Sequence, residues 1–160
     1  MKIMKITDVL TAEHAAFARL FDLVERALVA CRTVGEVRML AGLVEGLLHH
    51  HGAAEEHLVY SVLDHVLEEK GDLNRMHQDH KEIDMQLHQL ATDPDLARAR
   101  QRLKAALAAC REHFRSEEDG VFPLIHRVLR SETLTELGET YLRQNSVARH
   151  SAARSLSDAA

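Results

Sequence analysis

Two pairs of side chains in this sequence have the chemistry of metal ligands: His51 with Glu55, and His113 with Glu117. Residues four apart on a helix face the same way, one turn apart, so each pair offers an imidazole nitrogen and a carboxylate oxygen to a common point. One such pair alone says little, because His-x-x-x-Glu is common on helix surfaces. Repetition makes it informative. HGAAEEHLVYSVLDHVL can be laid over HFRSEEDGVFPLIHRVL without a gap, matching His51 to His113, Glu55 to Glu117, Glu56 to Glu118, Val59 to Val121 and Tyr60 to Phe122. Upstream, EHAAF resembles DHKEI and pairs His14 with His80. Each half is then a helix with one inward histidine followed by a helix with His-x-x-x-Glu, which implies a pseudo-two-fold axis.

Leu43, Leu47, Leu58 and Val62 share the helix face of the first pair, and Leu103, Cys110 and Leu124 surround the second. Both pairs therefore interrupt apolar stripes expected to face a core. Burying two carboxylates without partners costs several kcal/mol each, a large part of the roughly 5–15 kcal/mol that stabilises a domain. A pair of cations removes that cost. Two carboxylates can each bridge both metals, and four imidazoles supply nitrogens to each. A bridging oxo or hydroxo group then leaves about one position per metal for an exogenous ligand. Imidazole and carboxylate without thiolate suit iron, with manganese or zinc as substitutes.

The elements that must position these groups are helices. Asp8 or Thr7 can cap a first helix running to about Ala30, with Leu10, His14, Phe17, Leu20, Phe21, Val24 and Leu28 on one face. Thr33 and Glu36 have capping-box spacing and open a second helix expected to end near Lys70, with Gly71 as terminator. Gly42, Gly46 and Gly52 inside it suggest tight packing or local bending. A third helix is expected from about Asp72 to Leu90, with Leu73, Met76, Ile83, Leu87 and Leu90 inward. Asp93-Pro94 reads as the start of a fourth, with proline at its first position. That helix carries Leu103, Leu107, Cys110, Val121, Leu124 and Val128, and Pro123 predicts a kink or break just before it. Ser131 to about Arg149 reads as a short fifth helix. The predicted architecture is an all-α, up-down-up-down four-helix bundle with a short extra C-terminal helix. The domain spans residues 1–150, and 151–160 form a frayed tail.

Other candidates carry weaker signals. His77, one turn before His80, is the main spare ligand. His49 and His50 point about 100° per residue away from His51 and read as solvent-facing or as supports for the ligands. Glu56 and Glu118 can hold ligand imidazoles, or simply be solvated. Cys110 reads as a core filler rather than an oxidation sensor. Tyr60 can donate near the site, but its match to Phe122 favours plain packing. Met76 and Met85 read as core residues. His57, His65, His88, His126 and His150 read as surface residues.

Composition narrows the classes. Apolar residues make up 46% of the 160, enough for one ordinary core, and aromatics only 4%, which favours helix over sheet. The formal charge of -5 is not gathered into blocks, giving no reason to expect nucleic acid. No apolar run approaches the roughly 20 residues that span a bilayer, and the start lacks the pattern of a secretion signal. Cys31 and Cys110 are not spaced as a metal or disulfide motif, which predicts a reducing, cytoplasmic setting. No Ser/His/Asp triad or phosphate loop is assignable.

The order His … His-x-x-x-Glu … His … His-x-x-x-Glu, with EEHLVYSVL and EEDGVFPLI around and after the paired glutamates, resembles the hemerythrin-like (HHE cation-binding) family from about Ile6 to Leu129. By position, His14, His51, Glu55, His80, His113 and Glu117 match the six protein ligands of its four-His, two-Glu members. The resemblance implies two iron ions (Fe2+/Fe3+) with an oxo or hydroxo bridge and binding of a small diatomic ligand, oxygen or nitric oxide. The sequence departs from the oxygen-carrying hemerythrins of invertebrates, which use His-x-x-x-His on the third helix and His-x-x-x-x-Asp on the fourth. Neither a fifth histidine ligand nor reversible oxygen carriage is therefore implied. The cysteine-containing N-terminal extension of iron–sulfur repair relatives is also missing from this sequence. The leading expectation is a di-iron protein for sensing, storage or delivery. One alternative is a di-iron redox enzyme acting on peroxide or nitric oxide with an unknown redox partner, or an iron donor for cluster repair. Another is an iron-responsive interaction protein.

Overall fold

A computed structural model describes the backbone of residues 4–66 and 71–157, and side chains except those of Asp72 and residues 145–157. Seven α-helical segments join into five rods: α1 (Ile6–Ala30), α2 (Val34–Glu55) with α3 (Ser61–Val66), α4 (Gly71–Thr92), α5 (Leu96–Ser116) with α6 (Phe122–Val128), and α7 (Ser131–Ser157). No strand occurs among the described residues. No described helix is long and apolar enough to cross a membrane. α7 packs along α1, and α4 packs between α2 and α5, completing a helical bundle with one added helix.

Two continuous rods contain a π-helical turn, Glu56–Tyr60 between α2 and α3 and Glu117–Val121 between α5 and α6. In each, an amide reaches back five residues, Ser61 to the Glu56 carbonyl and Phe122 to the Glu117 carbonyl. The interruption expected before Pro123 is thus a π turn. Proline is not its common cause, because Ser61 occupies the matching position in the first half. Both turns begin at or beside the paired glutamates, where an inserted residue re-aims the helix that follows.

That insertion moves the buried face by one residue. Val59, Tyr60 and Leu63 are buried where Leu58 and Val62 were expected, and Ile125 is buried in place of Leu124 and Val128. Upstream, Leu43 and Leu47 are about half exposed, and Val37, Ala41 and Val44 face the core instead. The inward stripe lies to the other side of His51 from the one the leucines suggested. Met85 is likewise exposed, whereas Met76 and the whole expected stripe of α4 are buried.

Helix ends show how local chemistry sets length. Thr33 caps α2 as expected, its Oγ1 accepting from the Glu36 amide at 3.3 Å while Glu36 accepts from the Thr33 amide at 2.8 Å. α1 starts earlier than predicted: Lys5 is the capping residue, and Asp8 accepts from the Lys5 amide at 3.3 Å. Thr7 is buried, with its hydroxyl 2.9 Å from His126 Nε2. Gly71 is the first described residue of α4, and the helix end expected near Lys70 lies outside the described residues. α7 continues past the end expected near Arg149.

The fourth main helix starts at Leu96, later than Asp93-Pro94 suggested. Asp95 caps it by accepting from the Arg98 amide at 2.7 Å, so Pro94 precedes the helix. Asp93 accepts instead from the side chains of Arg98 and Arg102, at 2.8 and 3.0 Å. The Arg98 hydrogen bond, with help from the Asp95 amide, holds the Asp93 carboxyl down at about 2. A carboxyl near 3.9 in the unfolded chain and lower in the fold stabilises above the first value and loses that contribution as pH falls through the second. Asp93→Asn should therefore lower the urea midpoint at pH 7, with the gap to wild type closing between about pH 4 and 2.

Gly42 and Gly46 have no neighbour close enough to require glycine. Gly138 on α7 does. A Cβ there would lie 2.3 Å from the Met4 carbonyl oxygen and 3.0 Å from the Ile6 amide, so α1 and α7 can meet only across a bare backbone. Gly138→Ala should destabilise by about 1–3 kcal/mol in urea unfolding, the usual cost of overpacking.

Two apolar clusters fill the ends of the bundle. One gathers Phe21, Val37, Ile83 and Leu103; the other gathers Leu10, Leu63, Leu73 and Ile125. Between them, at matching levels on the four rods, lies a polar layer.

Candidate metal centre

The structure brings all six predicted side chains into that layer. His14, His51, Glu55, His113 and Glu117 are buried, and His80 is 18% exposed. Donor atoms fall into two groups: His14, His51, Glu55 and Glu117 in one, Glu55, His80 and His113 in the other. Glu55 belongs to both. Its Oε1 lies 2.9 Å from His51 Nε2 and 3.4 Å from His14 Nε2, and its Oε2 lies 3.3 Å from His80 Nε2. Glu117 Oε2 lies 3.4 Å from His14 Nε2 and 3.6 Å from His113 Nε2.

The outer nitrogen of each imidazole faces a carboxylate, in a pattern that follows the internal duplication. His14 Nδ1 meets Glu118 at 2.8 Å, and its counterpart His80 Nδ1 meets Glu56 at 3.2 Å. His51 Nδ1 meets Glu13 at 2.9 Å, and its counterpart His113 Nδ1 faces Asp79 at 3.5 Å. Such carboxylates fix ring orientation and turn Nε2 inward. Glu56 and Glu118 thus do what the sequence allowed. Glu13 and Asp79 were missed, although both stand directly before the inward histidine in EHAAF and DHKEI. The shorter aspartate leaves His113 Nδ1 without a hydrogen bond.

His77 is not among the converging donors. Its Nδ1 takes Glu56 at 2.9 Å and its Nε2 faces Asp64 at 3.7 Å, so it braces the carboxylate that orients His80. Tyr60 is more than packing: fully buried, it donates its hydroxyl to Glu117 Oε1 and stacks on His80. Phe122 cannot return this bond to Glu55, which breaks the symmetry of the two carboxylates. Tyr141 of α7 donates to Glu13, linking the fifth helix to His51. His49, His50, His57, His65, His88 and His126 are exposed, while the His150 side chain lies outside the described residues. Burial raises the Cys110 thiol to about 12, consistent with a core filler.

Charges within the layer compete. Burial, then the adjacent Glu55 charge, pushes Glu117 well above the usual carboxylate range. Burial pushes Glu55 the same way, but the His51 charge and hydrogen bonds from the histidines prevail and hold it low. His51, despite burial, is raised to about 10 by Glu55 and Glu13, while burial and the neighbouring His80 charge press His113 down to about 3. Glu55 Oε2, Glu117 Oε2 and His113 Nε2 are buried without a hydrogen bond. Unpaired carboxylate and imidazole lone pairs converging in one largely buried layer fit a cation better than a set of protons.

A helical bundle holding a buried His/Glu group able to bind metal defines a class of cation-binding proteins. The hemerythrin HHE cation-binding domain model matches residues 5–125, and the chain belongs to that family. No curated protein and no solved structure gives a significant match.

Proposed function

We propose that His14, His51, Glu55, His80, His113 and Glu117 hold two iron ions joined by an oxo or hydroxo bridge. On this reading the protein binds oxygen or nitric oxide for sensing, storage or delivery. The observation that carries it is the buried layer of two carboxylates and four imidazoles, shared between two donor groups through Glu55. The absence of thiolate among the donors favours iron over softer metals. Bound iron would supply redox-active coordination positions for a small ligand. The chain's part is to orient four imidazoles through Glu13, Glu56, Asp79 and Glu118, to hold Glu117 through Tyr60, and to flank the layer with the two apolar clusters. The buried free thiols of Cys31 and Cys110 accord with a cytoplasmic setting.

The test is an anaerobic ferrous sample exposed separately to nitric oxide and oxygen. A new visible absorption band with either gas supports the reading. An unchanged spectrum with both, on protein shown to hold iron, rejects it.

A further inference from the structure

α7 lies beyond residues 5–125, the span that the family model matches, yet it reaches the polar layer. Tyr141 on it is 2% exposed and donates its hydroxyl to Glu13 Oε2. The same oxygen meets His51 Nδ1 at 2.9 Å. One carboxylate oxygen thus stands between the fifth helix and an imidazole of the layer.

Glu13 needs that second partner to stay in place. Its side chain is 31% exposed, and a long side chain at a surface gives up rotamer freedom when it is held in one position. The place of the Tyr141 hydroxyl is in turn set by the backbone. Gly138, one turn before Tyr141, brings its bare Cα against the Met4 carbonyl and the Ile6 amide. Leu134, a further turn back, is buried in the apolar cluster with Ile6 and Leu10. The hydroxyl therefore reaches Glu13 only while α7 is seated on α1. The other half of the layer lacks this brace. Asp79, the counterpart of Glu13, stands 3.5 Å from His113 Nδ1, which has no hydrogen bond.

When His51 Nε2 faces a cation, Nδ1 keeps its proton and donates it to Glu13, and a fixed acceptor aligns the ring. Resting on the di-iron reading, we infer that Tyr141 is a positioning residue for the metal at the His14–His51 end. It acts through Glu13 on His51, and so couples that metal to the seating of α7. Such coupling is reciprocal: whatever α7 adds to metal affinity, the metal adds to the seating of α7.

The experiment loads wild type, Tyr141→Phe, Glu13→Gln and the double variant with iron, then titrates each with a chelator while counting metal per chain. Tyr141→Phe should weaken one of the two metals about tenfold, the low end for loss of a supporting group, and leave the other within about twofold. Glu13→Gln should weaken the same metal, and the double variant should be no weaker than Glu13→Gln alone. If Tyr141 acted only by packing, the two effects would multiply. In zinc-loaded protein, NMR should show the His51 Nδ1 proton exchanging with water at least about tenfold faster in Tyr141→Phe, with that of His14 unchanged. Zinc loading should also slow amide exchange at residues 138–141 in wild type, and much less in Tyr141→Phe. Effects that multiply, equal weakening of both metals, or an unchanged His51 proton overturns the inference and leaves the di-iron reading standing. Wild type that takes up no metal removes both.

Discussion

Glu55→Ala protein should retain less than about a tenth of the wild-type metal and lose it from both positions together. Glu55 alone stands in both donor groups, with one oxygen toward His14 and His51 and the other toward His80. Changes to groups that only support a ligand already weaken metal binding about 10–100-fold, and removal of a shared charged ligand should exceed that. Glu117→Ala should be the milder single change, since its Oε1 is committed to Tyr60 and only Oε2 faces the histidines. The double variant should bind none. Metal analysis per chain after reconstitution checks this, with circular dichroism confirming that helices persist. A fully loaded Glu55→Ala protein would contradict the shared-carboxylate arrangement.

Chelation should produce the second large effect. A cation that binds only the folded state stabilises it by about 4 kcal/mol when free metal is a thousand times Kd. At about 2–4 °C per kcal/mol for a chain of this size, removal should lower the unfolding midpoint by about 8–16 °C. Without a cation the layer keeps carboxylate and imidazole atoms buried without hydrogen bonds, so its loss of stability should be local as well as global. Amide exchange should quicken most around the two π turns, which start at or beside the paired glutamates. A scan by differential calorimetry with and without chelator measures the shift. An unchanged midpoint would mean that no metal is bound with useful affinity.

Much of this arrangement is legible in the sequence because it is written twice. The register of His51 with Glu55 and of His113 with Glu117 survives folding unchanged, since each pair lies within one turn and each π turn only begins at or after its glutamate. Past the glutamates, counting by helical period fails. Each π turn inserts a residue, so Leu63 and Ile125 face the core in place of Val62 and Leu124. Nothing in EEHLVYS marks that insertion, and Pro123 points to it in one half only. The role of Tyr60 is hidden in the sequence for a related reason. Matching it to Phe122 treats the halves as equal, whereas the hydroxyl is what distinguishes them. Glu13 and Asp79 escaped because an acid beside a histidine lies about 100° around an ideal helix from it. Their carboxylates reach the outer nitrogen of a ligand on a neighbouring helix, a relation that no spacing within one helix reveals. Gly138 is similar: its need for a bare Cα comes from Met4, far away in the chain.

Metal content and the absorption spectrum of protein purified without a histidine tag test the central proposition most directly. The arrangement of His14, His51, Glu55, His80, His113 and Glu117 predicts about two irons per chain and the near-ultraviolet charge-transfer absorption of an oxygen-bridged ferric pair. One metal per chain, or none after anaerobic reconstitution with ferrous iron, would contradict it.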